Sequence, residues 1–218
     1  VQVVNTTGFT KAVKVRIIEA QNSDEVLDFN LYLSPEDEWA AVITTNPELG
    51  GPAIIRTVDN SCTVPELGTR GGTKTTLADG KIQRDQPFST LLFAGDVDKS
   101  NERTEEGYIE IIEMGQLNPD IGFGADAVHG TDLVPKNCAA LVKAWQRTPP
   151  GVWTADAEKE LLPWIGGGLY GYSVLINVDE GTAVGVDATA VAKFAAVGVV
   201  PGVPLDPGLH TDCLLYTS

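Results

Sequence analysis

Apolar and polar positions alternate with period two through the first half of the chain. In Lys11-Ala12-Val13-Lys14-Val15-Arg16-Ile17 the valines and Ile17 share one face, while Lys14 and Arg16 take the other. In Leu27-Asp28-Phe29-Asn30-Leu31-Tyr32-Leu33 the apolar set is 27, 29, 31 and 33. Successive side chains of a strand point to opposite faces, so each run predicts a strand buried on one side only. Gln21-Asn22-Ser23-Asp24 is short enough to join the two as a hairpin. Ser34-Pro35-Glu36-Asp37 reads as a turn, and Glu38 to Ile43 as the next strand. Further strands are expected at Ala53 to Thr57, Phe88 to Ala94 and Tyr108 to Met114. The last breaks its alternation at Ile111-Ile112, which predicts a bulge or a strand covered on both faces. Pro65 to Gly80, rich in Gly and Thr, reads as a long surface loop.

The period changes after residue 130. Cys138, Leu141, Val142 and Trp145 fall at i, i+3, i+4 and i+7, one stripe of a helix, with Asp132 as N-cap and Pro135 in the first turn. A second short helix is expected from Thr154, with Asp156 and Glu158 near its positive end, stopping by Pro163 and Gly166. Strands resume at Tyr172 to Val178 and Thr182 to Ala188, turned by Asp179-Glu180-Gly181. These elements predict a mainly β fold, an antiparallel, immunoglobulin-like β-sandwich with a small helical insertion. Strands occupy 1–115, the insertion 116–166, and a returning hairpin at 167–198 completes the same domain. Residues 199–212, with Pro201, Pro204 and Pro207, read as a linker. The final Cys213-Leu214-Leu215-Tyr216-Thr217-Ser218 resembles the translated end of a sequencing adapter and is set apart from the fold.

Composition removes several function classes. Hydrophobic residues at 43% and charged residues at 21% exclude a disordered chain. No apolar run approaches the roughly 18 residues of a membrane-spanning helix. Thirty acids against fifteen bases leave a net charge of −15, so nucleic acid is not an expected partner. Cys62 and Cys138 form no C-x-x-C motif; a distant pair of this kind reads either as a structural disulfide or as two separate buried thiols.

Candidate chemistry is sparse. Gly166 to Gly171 matches G-x-G-x-x-G, but a helix precedes it and a strand follows, the reverse of a dinucleotide-binding turn. Gly68 to Thr75 approaches a P-loop, but Thr73 stands where glycine is needed. Asp96, Asp98, Ser100 and Glu102 are dense in oxygen ligands and form the candidate calcium site, without EF-hand spacing. Gly122 to Asp126 matches a single β-roll repeat, whereas such sites form between stacked repeats. Trp39, Trp145, Trp153, Trp164 and Tyr170 could stack on a sugar, though aromatics of a sandwich more often fill its core. His129, in a Gly-flanked loop, is expected to be exposed, and His210 lies in the linker. Neither G-x-S-x-G nor H-E-x-x-H occurs, so no catalytic residue is assigned.

Several stretches taken together resemble a family of uncharacterised exported bacterial proteins of cell-surface type. They include Val4-Asn5-Thr6-Thr7, Glu25 to Pro35, Ser61-Cys62-Thr63-Val64-Pro65, Glu106 to Gly115, Gly167 to Gly171, and Ile176-Asn177-Val178 with Glu180-Gly181-Thr182. The resemblance runs in order across most of residues 3 to 190. It implies export to the cell surface, periplasm or extracellular space, a fragment cut at both ends, and a Cys62–Cys138 disulfide. Glu36-Asp37-Glu38-Trp39 departs from the family in being more acidic than its usual turn. The expected function is therefore a non-enzymatic structural or adhesive β-domain without a cofactor, its partner a surface or extracellular protein or glycan. The alternatives are a glycan- or calcium-binding module and a hydrolase using a carboxylate pair.

Overall fold

The valine-rich alternating runs become the central strands of a computed structural model, which describes residues 1–46, 51–91, 93, 95, 98–163 and 167–191. The strands are β1 (Gln2–Asn5), β2 (Thr10–Glu19), β3 (Glu25–Leu33), β4 (Glu38–Ala40), β5 (Val42–Asn46) and β6 (Gly51–Thr57). They continue with β7 (Cys62–Val64), β8 (Thr73–Thr76), β9 (Ile82–Pro87), β10 (Gly107–Leu117), β11 (Leu169–Asn177) and β12 (Thr182–Asp187). Three short helices, α1 (Gly122–Ala127), α2 (Cys138–Ala144) and α3 (Val152–Ala155), lie between β10 and β11. The architecture is mainly β, as expected, and all strand pairs are antiparallel.

The strands form three sheets, ordered β12-β11-β1-β4, β10-β2-β3-β7 and β5-β6-β9-β8. One apolar core draws on all three: Val3 from the first, Val13, Val15, Phe29 and Leu31 from the second, Ile55 from the third. This arrangement is sandwich-like. The chain crosses from the first sheet to the third at Ala41, and the Thr57 hydroxyl pins the crossing by donating to the Ala40 carbonyl at 2.6 Å.

The other face of the middle sheet is also covered, which corrects the one-sided reading of β2 and β3. A second core sets Ala12, Tyr32 and Met114 against Leu141, Trp145 and Trp153 of the insertion. Tyr32 stacks on Trp153 with ring centroids 5.6 Å apart, and its hydroxyl accepts a 2.6 Å hydrogen bond from Trp145 Nε1. Lys14 and Asp28, polar by pattern, are only 7% and 5% exposed, and their charges face each other at 3.4 Å. A pairwise-compensated charge tolerates burial that an isolated one does not, so a polar letter did not mark a wet face.

Other elements shift. The strand expected at Phe88 to Ala94, of which residues 92 and 94 lie outside the described residues, is preceded by β9; Phe88 and Phe93 are buried anchors after it, and the Phe88 and Ser89 amides bond the Ala53 and Val26 carbonyls. The long loop at Pro65 to Gly80 contains β8, whose threonines pair with Ile82 to Asp85 of β9. In β10 the register slips between Glu113 and Gly115, so the bulge follows the Ile111-Ile112 pair rather than falling on it. Ile109 and Ile111 pack on the first core, whereas Met114 and Leu117 enter the second. Gly122 to Ala127, which includes the β-roll-like Gly122 to Asp126, forms α1. Asn137, not Asp132, caps α2 by accepting from the Ala140 amide at 3.2 Å, because the helix begins only at Cys138; Asp132 Oδ1 accepts the Val134 amide upstream. Leu141 and Trp145 point inward as expected, but Val142 is 41% exposed. The second helix ends where it was expected to begin, with Asp156 as its C-cap. It starts after Gly151, where any Cβ would lie 2.3 Å from the Lys143 and Ala144 carbonyl oxygens. The returning hairpin forms as expected and joins the first sheet through β1. Gly166 and the spans 199–212 and 213–218 lie outside the described residues.

The insertion is fastened at several points. Cys62 of β7 and Cys138 of α2 form a disulfide across a separation of 76. At the other end, fully buried Lys11 meets Glu113 Oε1 at 2.5 Å and Gln116 Oε1 at 3.3 Å. The same two side chains reach the return path: Gln116 Nε2 donates to Pro163 O, and Glu113 Oε2 accepts from the Gly167 amide.

Candidate functional site

A shallow cleft of about 480 Å³ opens where the turn after β3 meets the loop after α1, lined by Ser34, Asp37, Asp59, Asn60 and His129 among others. Residues 34–37 turn the chain from β3 into β4, with Glu36 in the left-handed region at φ 55°. Asp37 closes the turn: Oδ2 accepts from the Ser34 amide at 2.9 Å and Oδ1 from the Glu38 amide at 3.0 Å. An aspartate bonding nearby backbone N–H groups is a common turn device. Burial pushes the Asp37 carboxyl above its ordinary range, and nearby Asp59 adds to this, against the opposing pull of His129 and of the two amides.

His129 arrives from the opposite loop, held by an isolated bridge to Pro135. Its Nδ1 lies 2.6 Å from Ser34 Oγ and 3.4 Å from Asp37 Oδ2. The expected exposed histidine is therefore half-buried and clipped between two partners; a contact across 95 residues leaves no local trace in the sequence.

Serine, histidine and aspartate together invite comparison with a nucleophilic triad, but the geometry differs. In a triad one ring nitrogen takes the serine proton and the other is held by the carboxylate. Here hydroxyl and carboxylate share the same nitrogen. Ser34 is 6% exposed, and its Oγ donates to the Ala127 carbonyl at 3.2 Å while accepting the His129 amide at 3.1 Å. The hydroxyl therefore lies within hydrogen-bond reach of the Ala127 carbonyl, the His129 amide and His129 Nδ1 together. The trio works as a clip that fastens the insertion to the β3–β4 turn.

The remaining candidates are dispersed. Asp96 lies outside the described residues. Asp98 Oδ1 accepts the Ser100 amide at 2.8 Å, and its carbonyl accepts Arg103 Nη1 at 2.7 Å. Glu102 is exposed on a 3-10 turn, Asn101–Glu105. That turn is organised by Arg103, which is 8% exposed, packs 3.9 Å over the Phe93 ring and pairs with Glu19 at 3.1 Å. Among the described residues, no group of three or more His, Cys, Asp or Glu side chains is gathered to hold a metal. Of the aromatics, Trp39 lies in the first core and Trp145 and Trp153 in the second, while Trp164 is outside the described residues. Of the four described, Tyr170 alone is exposed, its ring 5.8 Å from Tyr172.

Among the described residues no helix is long and apolar enough to cross a membrane. No family model, curated protein or solved structure matches the chain.

Proposed function

We propose that this chain is a non-enzymatic, exported structural or adhesive β-domain of the bacterial cell surface. The observation that carries the reading is the Cys62–Cys138 disulfide, which joins the insertion to the middle sheet. Such bonds persist in oxidising compartments and are rare where thiols are kept reduced. The resemblance to exported surface proteins agrees with it. The acidic surface, net −15, suits a soluble exported chain and disfavours nucleic acid. The absence of enzymatic activity is supported by the clip geometry, in which hydroxyl and carboxylate approach the same ring nitrogen and Ser34 sits beneath the surface.

The test has two arms. Mass spectrometry of non-reduced peptides from exported material is expected to show the linked Cys62 and Cys138 peptides; free thiols at both would overturn the export argument. A fluorophosphonate probe is expected to leave Ser34 unlabelled, and stoichiometric labelling there would overturn the non-enzymatic reading. The hydrolase alternative draws on Asp37 and Asp59 lining one cleft. Both oxygens of Asp37 already accept backbone N–H groups, which supports a structural role for it.

A further inference from the structure

The β11–β12 hairpin runs past the sandwich. Only Gln2 to Asn5 of β1 pair with β11, opposite Leu169 to Tyr172, and β12 pairs with no other strand among the described residues. All six residues of β12 and the last four of β11 are exposed. Alternation places Val174 and Ile176 on one face of the ribbon and Leu175, Val184 and Val186 on the other. Leu175, Ile176 and Val184 are 65%, 68% and 61% exposed. A solitary two-stranded ribbon is marginally stable in water, and apolar character on both faces is the pattern of a strand inside a larger sheet.

Its free edge lacks the usual guards. Thr182 to Val186 contain no proline, lysine or other charge. The Ala188 amide bonds the Gly171 carbonyl, so the alternating antiparallel ladder turns the backbone groups of Ala183, Gly185 and Asp187 outward. Charge returns only at the two ends, as Asp179 and Glu180 at the tip and Asp187 at the base. An apolar, acid-bracketed edge complements an apolar strand with basic flanks. A second copy would instead bring another −15 of net charge.

We propose that the β12 edge accepts, by strand addition, an extended apolar segment of another polypeptide flanked by lysine or arginine. Main-chain hydrogen bonds to the outward groups supply affinity, and the ribbon faces take alternate side chains. The inference deepens the adhesive reading by naming the partner's chemistry.

The probe is a short fluorescent peptide alternating valine and threonine between terminal lysine pairs, titrated into the full chain by anisotropy. The wild type is expected to bind it, and to bind a peptide with glutamate in place of lysine about tenfold more weakly. Gly185→Pro removes an outward N–H without touching the β11 ladder; no atom lies within 4 Å of an added Cβ. With the melting curve unchanged, that variant is expected to lose about tenfold in affinity. No binding by the wild type, equal binding by the variant, or indifference to the peptide flanks would each overturn the proposal. A wild-type dimer that Gly185→Pro converts to monomer would assign the edge to a second copy and overturn it as well. None of these outcomes touches the disulfide or Ser34, so they fail separately from the reading of export and structure.

Discussion

Replacing Cys138 by serine opens a cross-link that spans 76 positions. Closing a loop of that length removes unfolded-state entropy worth about 4.5 kcal/mol at 25 °C in the chain-entropy relation. The folded state keeps its shape without the bond, because Leu141, Ala144 and Trp145 hold α2 in the second core and Asn137 still caps it. The whole loss therefore falls on the unfolded chain. For a domain of this size each kcal/mol moves Tm by about 2–4 °C, so Cys138→Ser is expected to lower Tm by about 9–18 °C. The assay is a set of calorimetric melts of the wild type, Cys138→Ser and the Cys62→Ser/Cys138→Ser pair without added thiol. Single and double variants should melt together, since either one opens the loop. A fall below about 3 °C in both would refute the reasoning and show that the unfolded chain holds these segments together unaided.

Three further outcomes follow from other contacts. Lys11→Met leaves Glu113 facing its buried site unpaired and is expected to cost about 3–5 kcal/mol in urea unfolding; Lys11→Met/Glu113→Leu should regain most of that, and a double variant no more stable than the single would contradict the pairing. Ser34→Ala strips a partner from Ala127 O and the His129 amide and is expected to cost about 1–3 kcal/mol, a neutral effect arguing that the clip bears no strain of holding the insertion. Burial pushes the Glu19 carboxyl up, but the amides of Asp24, Asn22 and Gln21 and the Arg103 guanidinium outweigh it and hold the group below its ordinary range. Its contribution is thus complete above the unfolded value of about 4.3 and lost as pH falls through the lower folded value. Wild-type stability should drop more steeply on acidification than that of Glu19→Gln, and superimposable pH profiles would refute this.

What the sequence reveals here depends on how far apart the contacting residues lie. The alternation of residues 11–17 and 27–33 is local, and it located β2 and β3 and the apolar face they share. The stripe through Leu141 and Trp145 was equally legible as a helix. The hidden part is non-local. Lys14 and Asp28 look like a solvated face, yet both are buried and face each other as an ion pair across neighbouring strands. Ser34 and Asp37 read as an ordinary turn, and nothing in their neighbourhood announces that His129 will close over them. β8 escaped notice because Thr73–Thr76 is exposed throughout and carries no apolar rhythm to detect.

The cross-link and the hairpin also set how the molecule would answer a mechanical load. Tension applied at the carboxyl end of β12 acts on a strand with one neighbour among the described residues, and antiparallel pairing lets it unzip one residue pair at a time from Asp187 toward the tip. Past that soft element, the covalent bridge withholds the stretch between Cys62 and Cys138, a sequence separation of 76, from extension, about 250 Å of contour length that no pull can release while the bond is intact.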